Sequence, residues 1–144
     1  MPELLEDQHR RLELRLADLG HAVQAGALAN ALDRVASFGA HLDRYVRTEE
    51  RLLFPVYDQL AAPGSSPTTR MRREHAGLRR LVGRLARLIG RRDETGALQA
   101  LDTLHSVFFL HGEKEAWVIY PQVAEAISPS VAEALVRGLL AAPR

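Results

Sequence analysis

Two segments of the chain place potential metal-binding side chains in the same pattern. The first runs from Tyr45 to Pro55 and reads YVRTEERLLFP, and the second runs from His111 to Pro121 and reads HGEKEAWVIYP. Each begins with a possible donor, has a glutamate four residues later and ends in an aromatic–proline pair. Side chains four residues apart lie one turn apart on the same side of an α-helix. Each segment therefore offers two donors to one small volume.

The two segments are 66 residues apart, and the same offset relates the stretches that precede them. It places His9 on His75 and the apolar Leu12 on Leu78. The chain therefore contains a duplicated helix pair, each half with one lone donor and one donor-x-x-x-Glu unit. If the halves face each other, six side chains surround one volume: His9, Tyr45, Glu49, His75, His111 and Glu115.

All six side chains lie at positions that helical spacing assigns to the core. A single core histidine is usually hydrogen-bonded, and a single core tyrosine usually packs as an aromatic with a satisfied hydroxyl. Two buried glutamates are costly unless a cation or partner is present, however, and the shared offset favours a metal site. Because the chain has no cysteine, the donors have to be imidazole, carboxylate or phenolate, which suit manganese as well as iron.

The nearby polar residues receive other interpretations. His41 lies one turn before the first segment; we interpret it as a non-ligand and a candidate outer-shell proton relay, with a role as replacement ligand as the alternative. Glu50 is predicted to face water. His105 is about 120° away from the His111 face, and His21 lies near a helix end, so neither is predicted to bind metal.

Helical spacing dominates the chain, and no alternating strand pattern is present. The apolar periodicity predicts an all-α protein with helices over about residues 3–24, 28–61, 68–90, 97–126 and 129–141. Short connections favour an up-down-up-down four-helix bundle over about 3–126, a short C-terminal fifth helix, and residues 1–144 as a single domain. Thr68 or Thr69 is predicted to cap the third helix, and Ser128 with Pro129 the fifth. The proline of each repeated segment should kink or end its helix.

Composition limits the partners and the compartment. The formal net charge is only +1, which gives no general attraction to nucleic acid. The third helix has an arginine-rich face that we interpret as solvated, with an anionic partner as the alternative; it consists of Arg73, Arg80, Arg84, Arg87 and Arg91. No apolar run reaches the ~18 residues of a membrane span, and acidic residues stand where a signal peptide needs basic and apolar ones. We therefore expect a cytoplasmic protein without a membrane partner.

Together the motifs resemble the hemerythrin-like, or HHE cation-binding, domain family over about residues 3–126. In that family a histidine on helix one and a Glu-His pair on helix three accompany two His-x-x-x-Glu units, on helices two and four, each followed by an aromatic–proline pair. The matching positions are His9, Tyr45 and Glu49 with Phe54–Pro55, Glu74–His75, and His111 and Glu115 with Tyr120–Pro121. The resemblance implies a centre of two iron ions without haem, bridged by both glutamates and an oxo or hydroxo group, with an open position for peroxide, oxygen or nitric oxide.

The chain departs from the family pattern at Tyr45, which stands where helix two has a histidine. Tyr45 either leaves the iron at that end short of a ligand, giving a weaker or mononuclear site, or coordinates it as a phenolate. We favour coordination, because ferric iron is able to deprotonate a phenol whose free pKa is about 10. A phenolate stabilises the ferric state, which suits peroxide better than reversible oxygen carriage. The sequence thus predicts a catalase-like diiron enzyme that disproportionates hydrogen peroxide.

Two other functions stay open at this point. One is a module that binds or senses oxygen, nitric oxide or iron without turnover, and the other is a metal-free bundle acting through its arginine-rich face. A ferritin-like carboxylate site is disfavoured, because it needs a Glu-x-x-His unit on each of two helices and only Glu6 to His9 provides one.

Overall fold

The computed structural model describes residues 2–141, and every regular element in that range is helical. The elements in chain order are α1 (Pro2–Gln24), α2 (Leu28–Thr48), a first π turn (Glu49–Leu53), α3 (Phe54–Gln59), α4 (Thr69–Gly90), α5 (Glu94–Lys114), a second π turn (Glu115–Ile119), α6 (Tyr120–Ala126) and α7 (Pro129–Leu140). The predicted all-α class is confirmed, and the predicted second and fourth helices are each divided by a π turn.

The four long helices form a bundle, in which α1 and α4 each pack against both α2 and α5. Each contributes an apolar stripe to the shared core, where Leu16, Phe38, Leu78 and Phe108 have 1 % or less of their surface exposed. The helical bundle is therefore confirmed, while the up-down order of its helices stays a prediction. Within residues 2–141, no helix is both long and apolar enough to cross a membrane.

The helix ends agree with the sequence prediction at one of three places. Ser128 caps α7 through its side chain, with Pro129 in the first turn, as predicted. Asp93 caps α5 by accepting a backbone N–H, so this helix begins three residues earlier than the predicted start at 97. The predicted side-chain cap of α4 is wrong, because the Thr68 hydroxyl donates to Asp58 at 2.7 Å instead.

The two prolines of the repeated segments explain the π turns. Proline has no N–H to continue the α-helical hydrogen-bond ladder, so the ladder shifts register before Pro55 and before Pro121. Each shift takes the form of a five-residue π turn, a feature that often marks functional sites. The predicted kinks therefore appear as π turns, which begin at Glu49 and Glu115.

The C-terminal helix α7 packs against α2 and the first π turn, with Leu135 and Leu139 buried. Gly138 permits a close approach, because a Cβ at that position would lie 2.9 Å from the Thr48 side chain. Thr48 directly precedes Glu49, so α7 supports the turn that carries one of the candidate ligands.

Candidate metal centre

Four of the six predicted metal ligands come together in the core. Glu49, His75, His111 and Glu115 each offer one ligand atom, and these atoms all lie within 4.8 Å of one another. The four residues are completely buried or nearly so, at 0–1 % exposure. The glutamates come from the first residues of the two π turns, and the histidines come from α4 and α5. The cluster therefore takes one ligand, Glu49, from the first half of the duplication and three from the second.

The two imidazoles point the same nitrogen into the cluster. Their Nε2 atoms lie 2.9 Å apart. The Nε2 of His75 is 3.3 Å from Glu49 Oε1, and the Nε2 of His111 is 2.9 Å from Glu115 Oε1. The geometry thus groups two nitrogen and two carboxylate donors around one point.

Two further carboxylates lie behind the imidazoles. His75 donates from Nδ1 to Glu50 Oε1 at 2.8 Å, and Glu74 Oε2 lies 3.6 Å from the Nδ1 of His111. A proton held at Nδ1 leaves Nε2 as a bare lone pair, which is the tautomer that binds metal. The prediction that Glu50 faces water is wrong, because only 24 % of its side chain is exposed. Its Oε1 also accepts a hydrogen bond from Arg79 Nη1 at 3.5 Å.

The electrostatics of the cluster fit a bound cation. Among the described residues, no hydrogen-bond donor reaches Glu49 Oε1 or either oxygen of Glu115, although all three atoms are buried. Burial raises the pKa of Glu115 to about 7 and the pKa of Glu49 well above its ordinary value. Burial also lowers the pKa of His111. The core therefore disfavours every charged form, and a metal ion would supply the positive charge that keeps both glutamates ionised.

Comparison with known proteins agrees with this geometry. The model of the hemerythrin HHE cation-binding domain matches residues 1–123, most of the chain. The chain belongs to the hemerythrin HHE cation-binding family. A search of curated proteins and a search of solved structures found no match. The resemblance stated from the sequence is therefore confirmed, and the cluster is the candidate metal site of a hemerythrin domain whose matched part ends before α7.

In this hemerythrin domain, Tyr45 is linked to the cluster through a second tyrosine. The Tyr45 hydroxyl makes a short hydrogen bond with the Tyr120 hydroxyl, and Tyr120 donates to Glu49 Oε2 at 2.8 Å. Burial, followed by repulsion from Glu49 and Glu115, raises the pKa of Tyr45 well above its ordinary value. Sequence reasoning placed Tyr120 in the aromatic–proline motif but missed it as a site residue. The missed signal was its hydroxyl, because the equivalent position in the first segment is Phe54.

The other two predicted site residues of the hemerythrin domain lie outside the four-residue cluster. The His9 ring stacks on Phe108 with centroids 4.0 Å apart, and its Nε2 lies 3.3 Å from the Phe108 carbonyl oxygen. Gly112 makes room for this ring, because a Cβ there would overlap it. Burial lowers the pKa of His9 to about 4. His41 donates from Nδ1 to the Ser37 carbonyl at 2.8 Å and lines a separate surface pocket with Arg15 and Arg44.

A solvent-facing cavity reaches the tyrosine side of the centre. It has a volume of about 350 Å³ and is lined by residues of α1, α5, the second π turn and α6. His9 and Tyr120 lie on its wall, and the exposed Trp117 lies beside them. The hemerythrin domain thus offers a small molecule a path from the surface to Tyr120, one hydrogen bond away from Glu49.

Proposed function

We propose that this hemerythrin domain holds two non-haem iron ions and disproportionates hydrogen peroxide in a catalase-like reaction. The observation that carries the proposal is the position of Tyr45. Its buried hydroxyl stands where the family has an imidazole, and it is joined to Glu49 through a single intervening hydroxyl. A phenolate donor favours the ferric state, which disfavours reversible oxygen carriage and suits peroxide.

The proposed metal ligands are the four clustered residues and two further side chains outside the cluster. Glu49, His75, His111 and Glu115 would hold the metal pair, and His9 and Tyr45 would complete its coordination. The iron pair supplies the two-electron redox change when it is bound. Glu50 orients the His75 imidazole from behind by accepting from its Nδ1, as carboxylates do in many metal sites. Glu74 lies behind His111 at 3.6 Å without a hydrogen bond to it. Two carboxylates and a phenolate suit iron as a hard, oxygen-rich site.

The proposed reaction needs no partner besides its substrate. One peroxide is oxidised to dioxygen and gives up two electrons and two protons, and a second peroxide accepts them and becomes two waters. The cavity beside Tyr120 admits a molecule of this size, and the burial of the cluster keeps bulk water away from it. On this proposal residues 1–144 act as one up-down-up-down domain in the cytoplasm.

The test compares iron-loaded protein with metal-free protein. We expect two irons per chain, dioxygen released at half the rate of peroxide loss, and a broad phenolate-to-iron absorption band. Tyr45→Phe should lose the band and most of the activity, whereas Tyr57→Phe, which alters a half-buried tyrosine of α3, should keep both. Peroxide decay that is no faster with the iron-loaded protein than with the metal-free protein would contradict the proposal.

A second candidate is a binding or sensing module for oxygen, nitric oxide or iron. It is favoured by the contact between α7 and the first π turn. Because of this contact, a displacement of Glu49 on ligand binding would move α7, a helix outside the matched family domain. This candidate predicts a ligand-induced spectral change in the reduced protein with negligible peroxide turnover. Truncation after residue 127 would then alter ligand affinity, and an unchanged affinity would count against it.

A further inference from the structure

Two tyrosines depart from the duplication, and their hydroxyls meet. Tyr45 corresponds to His111 at the 66-residue offset, and Tyr120 corresponds to Phe54. Within the repeated segments 45–55 and 111–121, each half therefore carries one phenol that the other lacks. The two hydroxyls are hydrogen-bonded to each other across the bundle, and both side chains have 2 % or less of their surface exposed.

The direction of this hydrogen bond follows from counting protons. Tyr120 donates its proton to Glu49 Oε2 at 2.8 Å. A phenol has one proton to donate and lone pairs to accept with. Tyr45 must therefore be the donor to Tyr120, and the chain of hydrogen bonds runs from Tyr45 to Tyr120 to Glu49. This chain occupies Glu49 Oε2 and leaves Oε1 facing the Nε2 of His75.

We infer that Tyr120 is a positioning residue that switches its hydrogen bond when the centre is loaded. This inference rests on the proposed coordination of iron by Tyr45. A coordinated Tyr45 oxygen has no proton left to give, so the hydrogen bond between the two hydroxyls survives only if Tyr120 becomes the donor. Tyr120 then releases Glu49 Oε2 for the metal and donates to the phenolate instead. A single rotation of the Tyr120 hydroxyl thus frees Glu49 Oε2 and places a hydrogen bond on the Tyr45 phenolate.

The switch has a spectroscopic consequence that a purely structural role would lack. A hydrogen bond donated to the phenolate oxygen lowers the energy of its donor electrons, so it raises the energy of the phenolate-to-iron charge-transfer band. Removal of the Tyr120 hydroxyl should move the band to longer wavelength by on the order of 10 nm, because hydrogen bonds to charged oxygens are among the stronger ones. The reduction potential should fall in the same variant, since the phenolate then donates more strongly.

Tyr120→Phe is the appropriate variant, because the fold already accepts phenylalanine at the equivalent position. Phe54 is completely buried in the first half and stacks on His75 with ring centroids 5.2 Å apart. Tyr57→Phe is the matched control, since it removes a phenol hydroxyl from α3 without touching the tyrosine pair.

The experiment records iron content, the visible spectrum and the resonance Raman spectrum of iron-loaded wild type and both variants. We expect Tyr120→Phe to retain iron and to shift the band to longer wavelength, and Tyr57→Phe to match wild type. Exchange of the wild type into D₂O should also shift its phenolate vibrations, which tests the same hydrogen bond without any substitution. A wild-type band that is unchanged in Tyr120→Phe and insensitive to D₂O would overturn the inference and leave Tyr45 coordination intact. Absence of the band from wild type would overturn both.

Discussion

Replacing Glu115 with glutamine should affect the metal-free and metal-loaded proteins in opposite directions. Glu115 is completely buried, and neither of its oxygens has a hydrogen-bond donor among the described residues. Burial raises its pKa from 4.5 to about 7. Each pKa unit is worth about 1.4 kcal/mol, so the ionised carboxylate costs the metal-free fold about 3 kcal/mol.

The sign of this cost sets its pH dependence. The unfolded chain loses the Glu115 proton near its ordinary pKa, while the folded chain keeps it to higher pH, so rising pH favours unfolding. The cost is therefore near zero at pH 4 and fully present at pH 8. Glutamine does not titrate, so metal-free Glu115→Gln should gain about 3 kcal/mol relative to wild type between these pH values. For a domain of this size the gain corresponds to roughly 10 °C in Tm at pH 8.

The metal-loaded protein should respond in the other direction. Glutamine removes an anionic ligand, so metal affinity should fall by more than about a hundredfold. Substituting only a residue that hydrogen-bonds to a ligand already lowers metal affinity by about 10–100-fold. Urea unfolding of metal-free protein at pH 4 and pH 8, and competition with a chromophoric chelator, measure the two effects. Glu113→Gln is the control, since that glutamate is exposed at the end of α5, two residues before Glu115. An equal stability difference at both pH values would refute the assignment of the cost to the buried carboxylate, and unchanged metal affinity would refute its role as a ligand.

Three other perturbations test separate parts of the structure. Chelation of the bound metal should lower Tm by roughly 6–10 °C in calorimetry, because a ligand present at 100 times its Kd contributes about 2.7 kcal/mol. Glu50→Gln should weaken metal binding about 10–100-fold in chelator competition, since the Nδ1 of His75 loses its carboxylate acceptor. Gly112→Ala should cost about 1–3 kcal/mol in urea unfolding, because the added methyl group overlaps His9. Gly90→Ala meets open space and should stabilise the protein by up to about 1 kcal/mol, so equal effects of the two alanines would contradict the overlap.

The sequence predicted the part of the centre that helical period and duplication determine. Glu49, His75, His111 and Glu115 lie at core positions of the predicted helices, and the structure brings all four together. These positions depend on the backbone spacing alone, so their grouping could be read from the chain.

The orientation of His9 is not predicted by the duplication. It corresponds to His75, yet it stacks on Phe108 beside Gly112, and the residues at the equivalent positions of the first half are Leu42 and Val46. Its orientation depends on these neighbours, which the offset does not conserve.

Glu50 and Tyr120 were misjudged for a related reason. At the offset Glu50 has Ala116 as its counterpart and Tyr120 has Phe54, so the repeat carried no information about either polar group. Their partners became visible only when the helices were packed together. A repeat predicts the shared framework of a site, whereas the polar groups that modulate the site are the ones in which the halves differ.

The differences between the halves make the two sides of the centre chemically unlike. One side has the paired Nε2 atoms of His75 and His111, with carboxylates behind both rings. The other side has the phenols of Tyr45 and Tyr120, linked to Glu49 Oε2. Imidazole nitrogens support the lower oxidation state of iron and phenolate oxygens support the higher one. Two ions held as proposed would therefore differ in potential although the helices around them are related by duplication. Glu49, whose Oε1 faces His75 and whose Oε2 accepts from Tyr120, would link the two sides.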